Sequence, residues 1–278
     1  MNKKSLLVVV LILLPLTCIL GWGAEGHRLI SNKAMTLLPD EMSSFTQWQE
    51  YITVHSVDPD LRREHDKSEA PRHYIDIDYY PEFNNGKMIE DKSKLVAEYG
   101  DSIVTKMGLL PWATLDTYNK LVQAFKDGDR DKALIYASDL GHYVGDGHQP
   151  MHTIVNYNGQ YTGQKGIHGR YETVMVDSNL SEINKDFMAE KAFYVHEPLK
   201  FIFNYITDAN SVVNLLFDAD NYAFKMTDSR EDSEYYRLMW FKLKYITETQ
   251  IDNASRDFAS LFYSAWVDAG KPAFDEFN

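Results

Sequence analysis

Four of the nine histidines fall between residues 142 and 168, in a pattern that narrows the fold. His142 and Asp146 stand four apart in a stretch of helical periodicity, and His168 and Glu172 repeat that spacing further on. Each imidazole therefore leaves a helix on the same face as a carboxylate one turn away. His152 lies between the two pairs, just after the helix-stopping Pro150. A single pair of this kind reads as an exposed ion pair contributing at most about 1 kcal/mol. Two pairs flanking a third histidine read as metal ligands, because zinc accepts nitrogen and oxygen donors at about 2.0–2.2 Å in a roughly tetrahedral arrangement.

Helical periodicity also dominates elsewhere. Ile30, Ala34, Leu37 and Leu38 mark a helix that Pro39 stops, and Leu115, Tyr118, Val122 and Phe125 mark another that ends at Asp127-Gly128-Asp129. Ala133, Ala137, Leu140 and Val144 continue from that turn into the helix of His142. Tyr235, Leu238, Met239, Lys242 and Ile246 predict an aromatic helix. Ile251, Ala254, Phe258, Leu261, Phe262 and Ala265 predict a last one, closed by Gly270 with Pro272 beyond. Residues 73–78 alternate with period two, but nothing pairs with them, so they read as extended loop. Residues 153–166, rich in Asn, Gly, Tyr and Gln, read as loop as well. With no internal repeat and no linker, the expectation is one all-α, multi-helix bundle domain over residues 22–278.

The N-terminus has the anatomy of a secretory signal: Lys3 and Lys4, then an apolar run over residues 5–20 broken by Pro15. That run is shorter than the roughly 20 residues of a bilayer span, so a signal peptide over residues 1–21 is expected, with no stable transmembrane anchor. Secretion or export to a periplasm follows. Cys18 is the only cysteine and would leave with the signal, which removes disulfides, thiol catalysis and cysteine-ligated zinc from the mature chain. Lipid attachment at Cys18 is disfavoured by Leu16 and Thr17, where small residues normally precede the modified cysteine. Forty-one acidic against 28 basic side chains, a net charge of −13, argue against a non-specific nucleic-acid coat.

Upstream candidates are ordinary in isolation. Asp58 reads as a turn residue before Pro59, His73 as a buried hydrogen-bonded histidine, and His27 as a surface histidine in a first helical turn. His55, His65, His148 and His196 carry no signal.

Taken in order, the motifs resemble a known superfamily. They are Trp22-Gly23 with His27, Asp58, Pro71-Arg72-His73-Tyr74, His142-x-x-x-Asp146 continuing through Gln149-Pro150-Met151-His152, His168-x-x-x-Glu172, and Trp266-Val267-Asp268-Ala269. Together they are similar to the zinc-dependent phospholipase C and S1/P1 nuclease superfamily. The resemblance implies an all-α bundle with three zinc ions. One would be held by Asp58, His73, His142 and Asp146. A second, bridged by Asp146, would be held by His27 and by the α-amino and carbonyl groups of Trp22, so signal cleavage before Trp22 would complete the site. A third would be held by His152, His168 and Glu172. It implies attack on phosphorus by a hydroxide shared between the bridged zinc ions, with Asp58 also orienting the attacking water.

The substrate expected from the resemblance is a phosphodiester. His168-x-x-x-Glu172, Gln149-Pro150-Met151-His152 and residues 166–172 look more like the phospholipase C branch, which favours a phospholipid headgroup. The opening Trp22-Gly23-x-x-Gly26-His27 matches the nuclease branch, and the alternative is a single-strand nuclease or 3′-nucleotidase. A secreted, zinc-stabilised binding protein is the further alternative, but eight side chains plus a terminus exceed what one structural zinc needs.

Overall fold

Local signals set most helix boundaries. The computed structural model describes residues 22–274, so the expected signal peptide lies outside the described residues. The helices that position the site are α1 (Gly23–Thr36), α2 (Gln49–His55), α3 (Asp58–Arg62), α4 (Leu110–Asp127), α5 (Arg130–Gly147), α6 (Val176–Lys185), α7 (Pro198–Ser211), α8 (Val213–Thr227) and α9 (Ser233–Asp268). Short helices fill the segment between residues 81 and 106, and among the described residues there is no strand. Gly128 ends α4 in the left-handed region at φ 67°, which costs glycine nothing, and Asp129 then caps α5 by accepting the Lys132 N–H at 3.1 Å.

The centre of the molecule is α5, packed by α1, α2, α4, α7 and α9. Every residue from 137 to 150 is buried. An all-round buried helix is normally apolar, yet this one carries Ser138, Asp139, His142 and Asp146 inward, so its polar groups need partners from the surrounding helices. Two of its glycines allow those helices to come close. A Cβ on Gly145 would lie 2.9 Å from His27 Nδ1 on α1, and one on Gly147 would lie 2.4 Å from Tyr205 on α7.

The last helix departs from the sequence expectation. Two helices were expected between residues 235 and 265, and the chain forms one of 36 residues, capped by Asp232 accepting the Tyr235 N–H at 2.7 Å. Thr247-Glu248-Thr249-Gln250 interrupts the apolar pattern but contains no glycine or proline to stop the backbone. Its N-terminal half packs Tyr235, Met239 and Leu243 into an apolar cluster with Trp22, Tyr171 and Met175. Its C-terminal half packs Phe258, Phe262 and Trp266 into a second cluster with Phe45, Trp48 and Phe125.

Two further features aim at the site. The segment at residues 73–78 is extended at Tyr74 and otherwise lies between and within 3-10 turns at Ala70–His73 and Ile77–Tyr79. Its backbone is tied down by Ile75 N–H to the His152 carbonyl at 2.9 Å and Asp76 N–H to the Met107 carbonyl at 2.7 Å. Ahead of α6, the chain runs through a helical turn Ile167–Gly169 and a π-helical stretch Arg170–Met175. Such stretches are rare and tend to occur at functional sites.

Gly147→Ala tests the packing of α5. Helix propensity alone would favour alanine by up to about 1 kcal/mol, but overpacking against buried Tyr205 costs about 1–3 kcal/mol. The expected result is a lower melting temperature in thermal unfolding; an unchanged or higher one would mean that α7 yields freely.

Candidate metal centre and cleft

Asp146 is the residue on which the histidines converge. Its Oδ2 lies 3.0 Å from His73 Nδ1 and 3.1 Å from His142 Nε2. Its Oδ1 lies 3.5 Å from His27 Nε2 and 3.2 Å from His152 Nδ1. His142 donates Nδ1–H to the Ser56 carbonyl at 2.8 Å, which turns the Nε2 lone pair toward the cluster. The His27 ring stacks on His142 with centroids 4.0 Å apart. Trp22 is buried at the start of α1 and donates Nε1–H to the Gly145 carbonyl at 2.8 Å, which seats the beginning of the helix beside Asp146.

A separate group forms where the His152 turn meets the π-helical stretch. His168 Nε2 lies 2.7 Å and His152 Nε2 3.6 Å from Glu172 Oε2. His152 donates Nδ1–H to the His73 carbonyl at 2.7 Å, and the Gln149 amide donates to Glu172 at 3.2 Å. Among the described residues, three sets have ligand atoms within 4.8 Å of one another: His27, Asp60 and His142; His73, His142 and Asp146; and His152, His168 and Glu172.

The position of Asp58 corrects the sequence expectation. Asp58 is 43% exposed and pairs with His55 at 2.8 Å on the surface, as the turn residue its context suggested. Asp60, buried, takes the place expected for it, with Oδ1 3.5 Å from His73 Nδ1 and 3.8 Å from His142 Nε2. Residues two apart on a helix point about 200° away from each other, so once Asp60 faces α5, Asp58 must face solvent. The periodicity of α3 is the signal that could have chosen between them, but five residues are too few to fix its phase.

The electrostatics suit a cation. His27 Nδ1 and Nε2, Asp60 Oδ2, Asp146 Oδ1, His168 Nδ1 and Glu172 Oε1 are buried without hydrogen-bond partners among the described residues. Leaving such groups unpaired is costly, and a metal ion would satisfy several of them at once. Burial, then the neighbouring His142, lowers the His27 pKa and keeps its lone pairs available. Burial opposes the charge on His142 and His152, but Asp146 outweighs it and pushes them up to about 9 and about 10. Burial likewise disfavours the Asp146 carboxylate, yet His142 and His152 hold it well below the ordinary range.

A cleft of about 490 Å³ opens onto His73, His152 and His168. Its other walls include Arg63, Tyr74, Asp76, Lys106, Tyr157 and Tyr161. Arg63 donates to Asp60 Oδ1 at 3.2 Å. Burial, with Asp78 adding repulsion, pushes the Asp76 carboxyl up to about 7. Nothing in the sequence marks Arg63, Asp76 or Lys106, since each is an ordinary charged residue until the fold brings three segments to one opening.

The contrast between neighbouring acids can be tested. Asp60→Asn is expected to weaken zinc binding at the first group by about 10-fold or more, measured by metal analysis after dialysis, while Asp58→Asn leaves zinc content unchanged. Equal losses in both variants would contradict this geometry. Among known proteins, the family model for S1/P1 nuclease matches residues 22–177. The fold is similar to that of the alpha toxin from Clostridium absonum, with a TM-score of 0.55 at 15% identity. That similarity covers 88% of this chain but 63% of the toxin chain. No curated protein sequence matches. The family match begins at Trp22, spans more than half of the chain and contains every residue of both histidine-carboxylate groups: the chain belongs to the S1/P1 nuclease family.

Proposed function

We propose that this member of a phosphoesterase family is a secreted, zinc-dependent hydrolase of phosphodiesters in single-stranded nucleic acid, with three zinc ions per chain. The observation that carries the reading is the shared Asp146 carboxylate between His27 on one side and His73 and His142 on the other, buried next to a cleft that His73 lines. In this reading, one ion is held by Asp60, His73, His142 and Asp146. A second is held by Asp146, His27 and the terminal amino and carbonyl groups of Trp22, and a third by His152, His168 and Glu172. Zinc bound there lowers the pKa of water toward about 7 and offsets charge on phosphoryl oxygens. Asp146 keeps its orientation because both oxygens face histidines, and it takes the catalytic role expected of it by holding two sites in register. The water-orienting role expected of Asp58 passes to Asp60, since Asp58 lies outside the cluster. Arg63, which donates to Asp60 at the cleft wall, would offer a cation to a phosphate bound in the cleft.

The substrate class rests on the walls. Tyr74, Tyr157 and Tyr161 offer ring faces for bases, and Lys106 offers a charge for a neighbouring phosphate. Together with the nuclease family match, they move the balance from the phospholipid headgroup favoured by the motifs toward nucleic acid. Phospholipid remains the second reading, carried by Glu172 in the position where its spacing from His168 looks like the phospholipase branch. Among the described residues, no helix is long and apolar enough to cross a membrane.

The deciding experiment uses protein exported through its own signal, with the N-terminus and zinc content read together by native mass spectrometry. A chain starting at Trp22 with three zinc ions is expected to hydrolyse single-stranded DNA or RNA and to lose that activity on zinc removal. Hydrolysis of phosphatidylcholine alone would transfer the assignment to the second reading, and a single tightly held zinc without hydrolysis would support a binding protein. Asp76 adds a pH prediction. Ionising as pH rises through about 7, it places negative charge in the cleft. KM for an anionic substrate should therefore rise above neutrality, and Asp76→Asn should flatten that rise in steady-state assays across pH.

A further inference from the structure

We infer that Glu69 is a positioning residue for His73, holding its ring from behind so that Nδ1 faces the first metal group; this rests on the metal reading above. The two ring nitrogens of His73 have opposite surroundings. Nδ1 lies 3.0 Å from both Asp146 Oδ2 and His142 Nε2. Nε2, on the other side of the ring, faces Glu69 Oε1 at 3.5 Å, an ion-pair distance rather than a hydrogen bond, and has no other partner among the described residues. Glu69 is buried and stands four residues before His73, at the start of the 3-10 turn that ends in the histidine. A carboxylate behind a ligating imidazole fixes which nitrogen carries the proton and raises the basicity of the other.

Glu69 is itself held from three directions. The Tyr143 hydroxyl donates to it, Arg72 Nε lies 3.6 Å from Oε1, and Arg62 Nε lies 3.6 Å from Oε2. Arg72 also donates to the Tyr143 hydroxyl at 2.9 Å. Each anchor adjoins a residue of the metal group in sequence: Arg62 follows Asp60 by two, Arg72 precedes His73, and Tyr143 follows His142. The Tyr143 ring stands edge-on to both His73 and His142, each at 5.7 Å between centroids. One carboxylate thus ties together the three segments that supply the first group. Asp139 belongs to the same charge network through a two-pronged pair with Arg62, at 3.0 and 2.8 Å, without facing His73. That difference separates positioning from bulk stability.

The test compares Glu69→Gln, Asp139→Asn and Tyr143→Phe in the full mature chain. Zinc affinity is read by competition with a chromophoric chelator, the visible spectrum is recorded with cobalt in place of zinc, and melting temperature is followed separately. Glu69→Gln is expected to weaken one zinc by about 10–100-fold and to change the cobalt spectrum. Asp139→Asn is expected to lower the melting temperature while leaving affinity and spectrum as in the wild type. Tyr143→Phe, which keeps the ring and removes the hydroxyl, should give a smaller loss of affinity in the same direction, and it carries the test if Glu69→Gln does not fold. Unchanged affinity in Glu69→Gln, or an equal loss in Asp139→Asn, would overturn the inference. A wild-type chain that takes up no zinc would overturn the metal reading beneath it, a result distinguishable from failure of Glu69 alone.

Discussion

A carboxylate removed from water at the middle of a helix bundle is a large liability, and Asp146 is such a group. The protein answers it with four histidines from different parts of the chain. His27 comes from α1, His73 from an irregular segment, His142 from the preceding turn of α5, and His152 from the turn after it. Much of the architecture serves this convergence. α5 is buried on all sides so that Asp146 can be reached from each, Gly145 lets α1 bring His27 close, and the Ser56 carbonyl turns His142 toward the centre. None of these contacts would stabilise the fold alone, because an imidazole facing a buried carboxylate needs a proton or a metal ion to complete the charge balance.

The parts of this arrangement legible in sequence are those that depend on one helix. The pairing of His142 with Asp146, and of His168 with Glu172, follows from spacing within a turn, and the boundary between α4 and α5 follows from Asp127-Gly128-Asp129. Choosing between Asp58 and Asp60 depends on the rotation of a very short helix against α5, a tertiary fact. The continuity of α9 was hidden by Thr247 and Gln250, polar residues that are nonetheless buried. The π-helical stretch after His168 has no composition of its own, and the second-layer contacts of Glu69 join residues up to 74 positions apart. Resemblance supplied the order of the motifs; geometry supplied which side chains face inward.

Net charge is a poor guide to the cleft. The chain carries −13 overall, yet Arg63 and Lys106 stand at the opening, and burial holds the Asp76 carboxyl at a pKa of about 7, well above the ordinary carboxylate range. A substrate phosphate responds mainly to charges within about 10 Å, the screening length at 0.1 M salt. The acidic excess elsewhere says little about what the opening admits.

The unbroken run of α9 has a mechanical meaning. One rod of about 54 Å, at 1.5 Å per residue, threads both apolar clusters, so neither can rotate against the other without bending a 36-residue helix. A molecule built this way has no hinge along its spine. The cleft wall is held as well: loop 153–166 is tied at one end by Val155 N–H on Asp78 and at the other by Gln164 on buried Asp220, and the Tyr161 N–H is held by Asn156, so what varies freely there is the 74% exposed Tyr161 side chain. The opening therefore has a fixed frame with one projecting aromatic tip, and what relatives with this spine admit should track the length and aromatic content of that loop.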